Sequence, residues 1–139
     1  MLKQHTSMKF ISFLFTITLL SCGMCKKNSE TGPAQVLFGS GGGFTGAVIS
    51  YSLSSDGALN KIEGEKNISL KTIDKKTAEG LLTKAKALKD YHYNTPDNMN
   101  CFIEIKSKDF NEKYVWGMNA VKIDARLKQL YDDLMALTK

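Results

Sequence analysis

Histidine, proline and tryptophan are scarce: the 139 residues include two histidines, two prolines and one tryptophan. His92 is the only histidine beyond residue 22, so the sequence contains no His-x-x-x-His pair and no Ser-His-Asp signature. It also lacks the acidic run of an EF-hand calcium loop. We therefore predict no catalytic residue, no metal site and no cofactor, and a protein that is not an enzyme.

Hydrophobic runs long enough for a membrane-spanning helix, about 20 residues, are absent as well. Residues 10–20 are mostly apolar, with Ser12 and two threonines among them, and follow Lys3 and Lys9, which is the pattern of a signal peptide. The run ends in Leu19-Leu20-Ser21-Cys22, which resembles the lipobox of bacterial lipoproteins. In that family the signal peptide is cut before the cysteine, which carries the lipid. The resemblance implies a signal peptide at residues 1–21 and a membrane anchor on Cys22, with translation starting at Met1 or Met8.

The segment after the anchor is polar and contains Gly32-Pro33, so residues 22–34 are expected to form a flexible tether. Gly23 occupies the position where aspartate retains Gram-negative lipoproteins at the inner membrane. The resemblance therefore implies an outer-membrane location in the bacterial cell envelope. Without Lys3 and Lys9 the chain keeps 17 basic residues against 14 acidic ones. That net charge of +3 is too small and too dispersed to indicate nucleic-acid binding.

Residues 35–139 suffice for one hydrophobic core, and their patterns predict a single α+β domain. Apolar residues at helical spacing predict a helix that Asp74 caps and that reaches Leu88, and a second helix over residues 122–137. We expect an antiparallel sheet of about four to six strands, built from two hairpins, with both amphipathic helices packed on one face. The predicted strands are residues 35–38, 47–54, 58–63, 68–72, 101–106 and 113–118.

Two cysteines remain once Cys22 carries a lipid. A disulfide between Cys25 in the tether and Cys101 in a strand is compatible with an oxidising compartment. The favoured interpretation is instead that Cys101 is a buried thiol that packs beside Ile103 and Ile105 as a small hydrophobic residue.

The densest local feature is a glycine-rich stretch, since five of the 11 glycines lie between residues 39 and 46. Its string Gly41-x-Gly43-x-x-Gly46 matches the dinucleotide-binding motif, but a strand follows it where that motif requires a helix. One interpretation is a turn or bulge that joins two strands. The other is a rigid contact surface for a protein partner, because a simple turn needs fewer glycines and no aromatic ring. This candidate protein-binding loop comprises Gly41, Gly42, Gly43, Phe44, Thr45 and Gly46.

Aromatic residues cluster at two further places. Tyr91-His92-Tyr93 suggests either a recognition patch or a helix-to-strand connection in which Tyr91 packs on the core, and the connection is favoured. Tyr114, Trp116 and Met118 alternate along one strand, which is typical of a buried strand face.

The order of these features resembles the emfourin family of small proteins, which inhibit thermolysin-like zinc metalloproteases. The similarity spans most of residues 35–137, and its specific part is Gly42-Gly43-Phe44-Thr45-Gly46. Thr45, Gly41 and the lipid anchor depart from the family pattern. The other matching positions are Tyr51, Leu81, Leu82, Leu88, Pro96, Phe102-Ile103-Glu104-Ile105, Leu127, Leu130 and Leu134.

The resemblance implies a non-enzymatic protein-binding domain that inhibits a secreted or envelope metalloprotease. The alternative is a structural or assembly lipoprotein that binds envelope components. Neither reading requires a cofactor or a nucleic acid.

Replacing Cys22 tests the anchor directly. Cells that express the full chain and receive a palmitate analogue are expected to label the wild type and not Cys22→Ser, because the thiol is the acylated group. The matched control is Cys25→Ser, which should label normally. Equal labelling of Cys22→Ser, or a loss confined to Cys25→Ser, would contradict the assignment.

Overall fold

A computed structural model describes residues 34–89 and 91–139 of the chain. The predicted signal peptide, Cys22, Cys25 and the tether as far as residue 33 lie outside the described residues. The elements of the described part, in chain order, are β1 (Gln35–Gly42), β2 (Ala47–Ser54), β3 (Ala58–Glu63), β4 (Lys66–Thr72), α1 (Lys75–Lys86), β5 (Asn94–Thr95), β6 (Met99–Lys106), β7 (Asn111–Gly117) and α2 (Ala125–Ala136).

The described strands form one sheet of seven strands in the order β4-β3-β2-β1-β6-β7-β5. Neighbouring strands are antiparallel except β5 and β7, which run parallel, with Asn94 opposite Val115 and Thr95 opposite Trp116. The α+β class holds, but the prediction of a purely antiparallel sheet of four to six strands is wrong. A strand of two residues shows no alternation. The only local sequence signal for β5 is Pro96, which favours an extended conformation in the preceding residue, Thr95.

Strand β1 is the second difference, because it continues to Gly42 instead of ending near Phe38. Its eight residues pair along their whole length with β2 on one side and β6 on the other. Glycine and serine disfavour strands in isolation. Backbone hydrogen bonds to two neighbouring strands outweigh that preference, so the glycine-rich stretch is extended. The predicted bounds of β2 and β3 are confirmed.

Both helices pack on the same face of the sheet and enclose the core. The carboxylate of Asp74 caps α1 by accepting a hydrogen bond from the backbone N–H of Thr77 at 3.0 Å, as predicted, and Asp124 caps α2. The core contains Val36, Phe38, Leu53, Leu59, Ala78, Leu81, Leu82, Ala85, Leu88, Cys101, Ile103, Ile105, Tyr114, Trp116, Leu127, Leu130 and Leu134.

Tyr114 joins the end of the first helical segment to β7. Its buried hydroxyl donates a hydrogen bond to the carbonyl of Leu88 at 2.7 Å. Trp116 is buried on the same strand face, as predicted. Met118 is exposed instead, because β7 ends at Gly117 and the chain turns away from the core after it. Cys101 is a buried free thiol, as the favoured interpretation expected.

Leu127→Ala is expected to destabilise the domain by about 2–5 kcal/mol, because it leaves a cavity between α2 and the sheet. Lys128→Ala, the next residue and exposed, is the matched control and should change stability by less than about 0.5 kcal/mol. Urea denaturation of a soluble form that begins at residue 26 measures both. Similar midpoints for the two variants would contradict the packing of this helix.

Candidate functional site

The candidate protein-binding loop lies at the end of the β1–β2 hairpin. Gly41 and Gly42 are the last residues of β1, and Gly42 pairs with Ala47 at the start of β2. The four residues 43–46 between them form the turn, which the backbone N–H of Gly46 closes on the carbonyl of Gly43 at 3.2 Å. Because a strand follows the turn, the dinucleotide-binding interpretation is excluded.

Backbone geometry accounts for glycine at the most constrained of these positions. Gly42 has a φ of 113°, and a Cβ there would lie 2.3 Å from the carbonyl oxygen of Asn98. Gly43 has a φ of 72°, and its Cβ would lie 2.8 Å from the sulfur of Met99. A side chain is strained at both positions. The geometry of the turn therefore explains these two glycines. Phe44 is the residue of the loop that this geometry does not explain.

Hydrogen bonds to the neighbouring segment fix the turn in place. The backbone N–H of Gly43 donates to the carbonyl of Asn98 at 2.7 Å. The segment that supplies this acceptor is itself braced, since the Asn100 side chain accepts from the N–H of Asp97 and donates to its carbonyl, both at 2.6 Å. The turn is thus attached to the start of β6 as well as to its own two strands.

Phe44 stands at the outer end of this turn. Its relative exposure is 107 %, so the side chain is as accessible as in an extended peptide. The ring therefore does not pack on the core. Val48 and Ile49, at the start of β2, are exposed as well. An ordered backbone here presents an aromatic ring that makes no contribution to the core.

The strand beneath the turn is also held from the helix side. Tyr131 of α2 donates a hydrogen bond to the carbonyl of Gly39 at 3.2 Å, and its ring meets that of Trp116 edge-on at 5.2 Å. Burial raises the pKa of the Tyr131 phenol.

The face of the sheet that no described helix covers contains a shallow trough of about 450 Å³. It begins beneath the turn, where Gly41 of the central strand lacks a side chain. Lys113 stands at its rim, 3.9 Å from Glu104 and 5.5 Å from the centre of the Phe102 ring. The sequence did not lead us to predict the trough. A signal for it was present, because every second residue of β6 and β7 was expected to face away from the predicted core. The apolar lining consists of Leu37, Val48, Ile62, Phe102 and Val115.

The aromatic loop after α1 is a structural connection, as favoured. The rings of Tyr91 and Tyr93 stack at 5.8 Å, and the guanidinium of Arg126 lies 5.7 Å from the centre of the Tyr91 ring. The Tyr93 hydroxyl donates to the carbonyl of Lys122. Burial raises the pKa of the Tyr91 phenol. Both tyrosines therefore pack within the domain. His92, which lies between them in sequence, is exposed.

Comparison with known proteins shows no relationship: no protein-family model matches the chain, and no curated protein is significantly similar to it.

Within residues 34–89 and 91–139, no group of three or more histidine, cysteine, aspartate or glutamate side chains is arranged to hold a metal ion. Neither helix of this part of the chain has the length and apolar content that crossing a membrane requires.

Phe44→Ala is expected to leave stability within about 0.5 kcal/mol of the wild type, because the ring is exposed. Phe38→Ala, the same substitution six residues earlier in β1, is the matched comparison. It should cost about 3–5 kcal/mol because that ring is fully buried. Thermal and urea unfolding of both variants provide the measurement. A comparable loss in the two would show that Phe44 packs in the folded protein.

Proposed function

We propose that this chain is a lipid-anchored lipoprotein of the bacterial cell envelope, most specifically of the outer membrane, whose domain is a non-enzymatic protein-binding module. The observation that carries the proposal is Phe44, a fully exposed aromatic residue on an ordered turn. Cys22 supplies the anchor, and two or three acyl chains hold a protein at a membrane far more firmly than one does.

An exposed ring on a fixed turn suits protein recognition for an energetic reason. Binding that first has to order a loop loses part of the interaction energy as conformational entropy. The hydrogen bond from Gly43 to Asn98 and the pairing of Gly42 on both sides reduce that loss. Burial of one aromatic side chain in a partner's pocket then contributes affinity with little reorganisation.

Metalloprotease inhibition is the activity we propose for this surface. The motif Gly42-Gly43-Phe44-Thr45-Gly46, on which the similarity to emfourins rests, coincides with the protruding end of the hairpin. An exposed aromatic ring on an ordered turn can enter a protease cleft without reorganisation of the backbone. The partner would be a secreted or envelope protease of the thermolysin type.

The second candidate is a structural or assembly lipoprotein that binds envelope components. The apolar trough of about 450 Å³, on the face that neither described helix covers, favours it, because Phe44 is not among the residues that line it. An envelope ligand bound there would not require Phe44. Substitution in the trough therefore distinguishes this function from the first.

The test is inhibition of thermolysin within a panel of secreted proteases. We expect the wild-type domain to inhibit thermolysin, and Phe44→Ala to weaken inhibition by roughly 30-fold, which corresponds to about 2 kcal/mol of binding energy. The matched control is Leu70→Ala, which removes a partly exposed apolar side chain from β4 and should inhibit normally. Absence of inhibition by the wild type, or equal inhibition by Phe44→Ala, would refute the proposed activity.

A further inference from the structure

Phe44 is one of several exposed apolar side chains at the same end of the sheet. β7 also ends there, and the turn after it carries Met118 and Val121, the latter with a relative exposure of 96 %. Met99 begins β6 between the two turns and is partly exposed. We define the apolar ridge as Phe44, Met99, Met118 and Val121.

The three backbone segments that carry these side chains are joined through Met99. Gly42 pairs with Met99 in the sheet, and the sulfur of Met99 lies beneath Gly43. On the other side, the backbone N–H of Met118 donates to the carbonyl of Met99 at 2.7 Å. Neighbouring strands are about 4.8 Å apart, so the line from β1 through β6 to β7 extends roughly 10 Å.

We propose that the apolar ridge is one composite contact surface, and that it seats in an apolar cleft of a folded protein partner rather than in a lipid bilayer. This inference rests on the proposed protein-binding function and extends its site from one turn to two. Phe44 and Val121 are its two ends.

Charge favours a protein cleft over a membrane. Segments 42–48, 97–99 and 118–122 contain two charged residues, Asp97 and Lys122, whose charges are opposite. Surfaces that insert into anionic bilayers combine apolar side chains with basic ones, each of which contributes about 1 kcal/mol near the headgroups. A surface that carries one carboxylate and one lysine has no net charge, so it gains little of this kind from an anionic membrane.

The direction of the chain favours the same conclusion. Strand β1 begins at Gln35, where the chain enters from the predicted anchor, and ends at Gly42 next to the ridge. Its eight residues separate the two ends of the sheet by roughly 24 Å. The predicted anchor thus joins the domain at the end of β1 opposite the ridge.

The experiment places a photo-crosslinking amino acid at Phe44, Val121 or Lys108 in the full lipidated chain, in cells of the bacterium that encodes it. Lys108 is the matched control, because it is exposed in the β6–β7 turn at the other end of the sheet. We expect positions 44 and 121 to give a protein adduct of the same mass, and position 108 to give none. Val121→Asp should reduce the yield of the adduct from position 44 at least about tenfold. A tenfold loss of affinity corresponds to about 1.4 kcal/mol of binding free energy.

Four results would overturn the inference: an adduct from position 44 that Val121→Asp leaves unchanged, different protein adducts from the two ends, an equal adduct from position 108, or adducts to lipid alone. The melting temperature of Val121→Asp should match that of the wild type, which would show that misfolding does not account for a loss of the adduct.

Thermolysin inhibition separates this inference from the proposed function. Inhibition that depends on Phe44 but not on Val121 refutes only the composite ridge. Matched adducts without thermolysin inhibition refute only the protease target.

Discussion

Pairing of β1 with both β2 and β6 is the interaction on which the rest of the structure depends. β1 is the central strand of the sheet, and all eight of its residues pair on both sides. Val36 and Phe38 project from it into the core, where the two helices cover them. The same strand reaches the end of the sheet and there supports the turn that carries Phe44. The stability of the core and the position of the candidate contact surface therefore depend on one element.

This dependence explains how a stretch rich in glycine becomes ordered. Glycine loses more backbone entropy on folding than any other residue. Hydrogen bonds to strands on both sides offset that cost, and the contacts of Gly42 and Gly43 with Asn98 and Met99 leave no space for a Cβ. The glycines serve close packing between segments of the backbone. The residue left without a structural role is Phe44, and this makes it the informative one.

The two faces of the sheet differ because the helices cover only one of them. On the covered face, apolar side chains of both helices and five strands form one core. On the other face, Gly41 opens a trough between the side chains of its neighbours. Glu104, Lys106 and Lys113 lie together along that face, so its solvated part is charged. The apolar ridge occupies the end of the sheet and is formed by two turns and the first residue of β6.

Local patterns in the sequence determined the elements that carry a strong local signal. The stripe of Leu127, Leu130 and Leu134 identified the second helix, Asp74 identified the start of the first, and alternation fixed β2 and β3 to the residue. Such signals depend only on spacing along the chain, because a side chain's face follows from the period of its helix or strand.

The remainder was decided by contacts between distant segments. β5 exists because two residues meet the edge of β7, and β1 reaches Gly42 because two neighbouring strands extend it. Glycine spacing indicated a loop at 41–46 and placed Phe44 within it. Only tertiary structure decided that its ring faces solvent, and that Met99, Met118 and Val121 lie at the same end of the sheet. Residues far apart in sequence become neighbours through strand pairing, and no local period encodes the order in which strands pair.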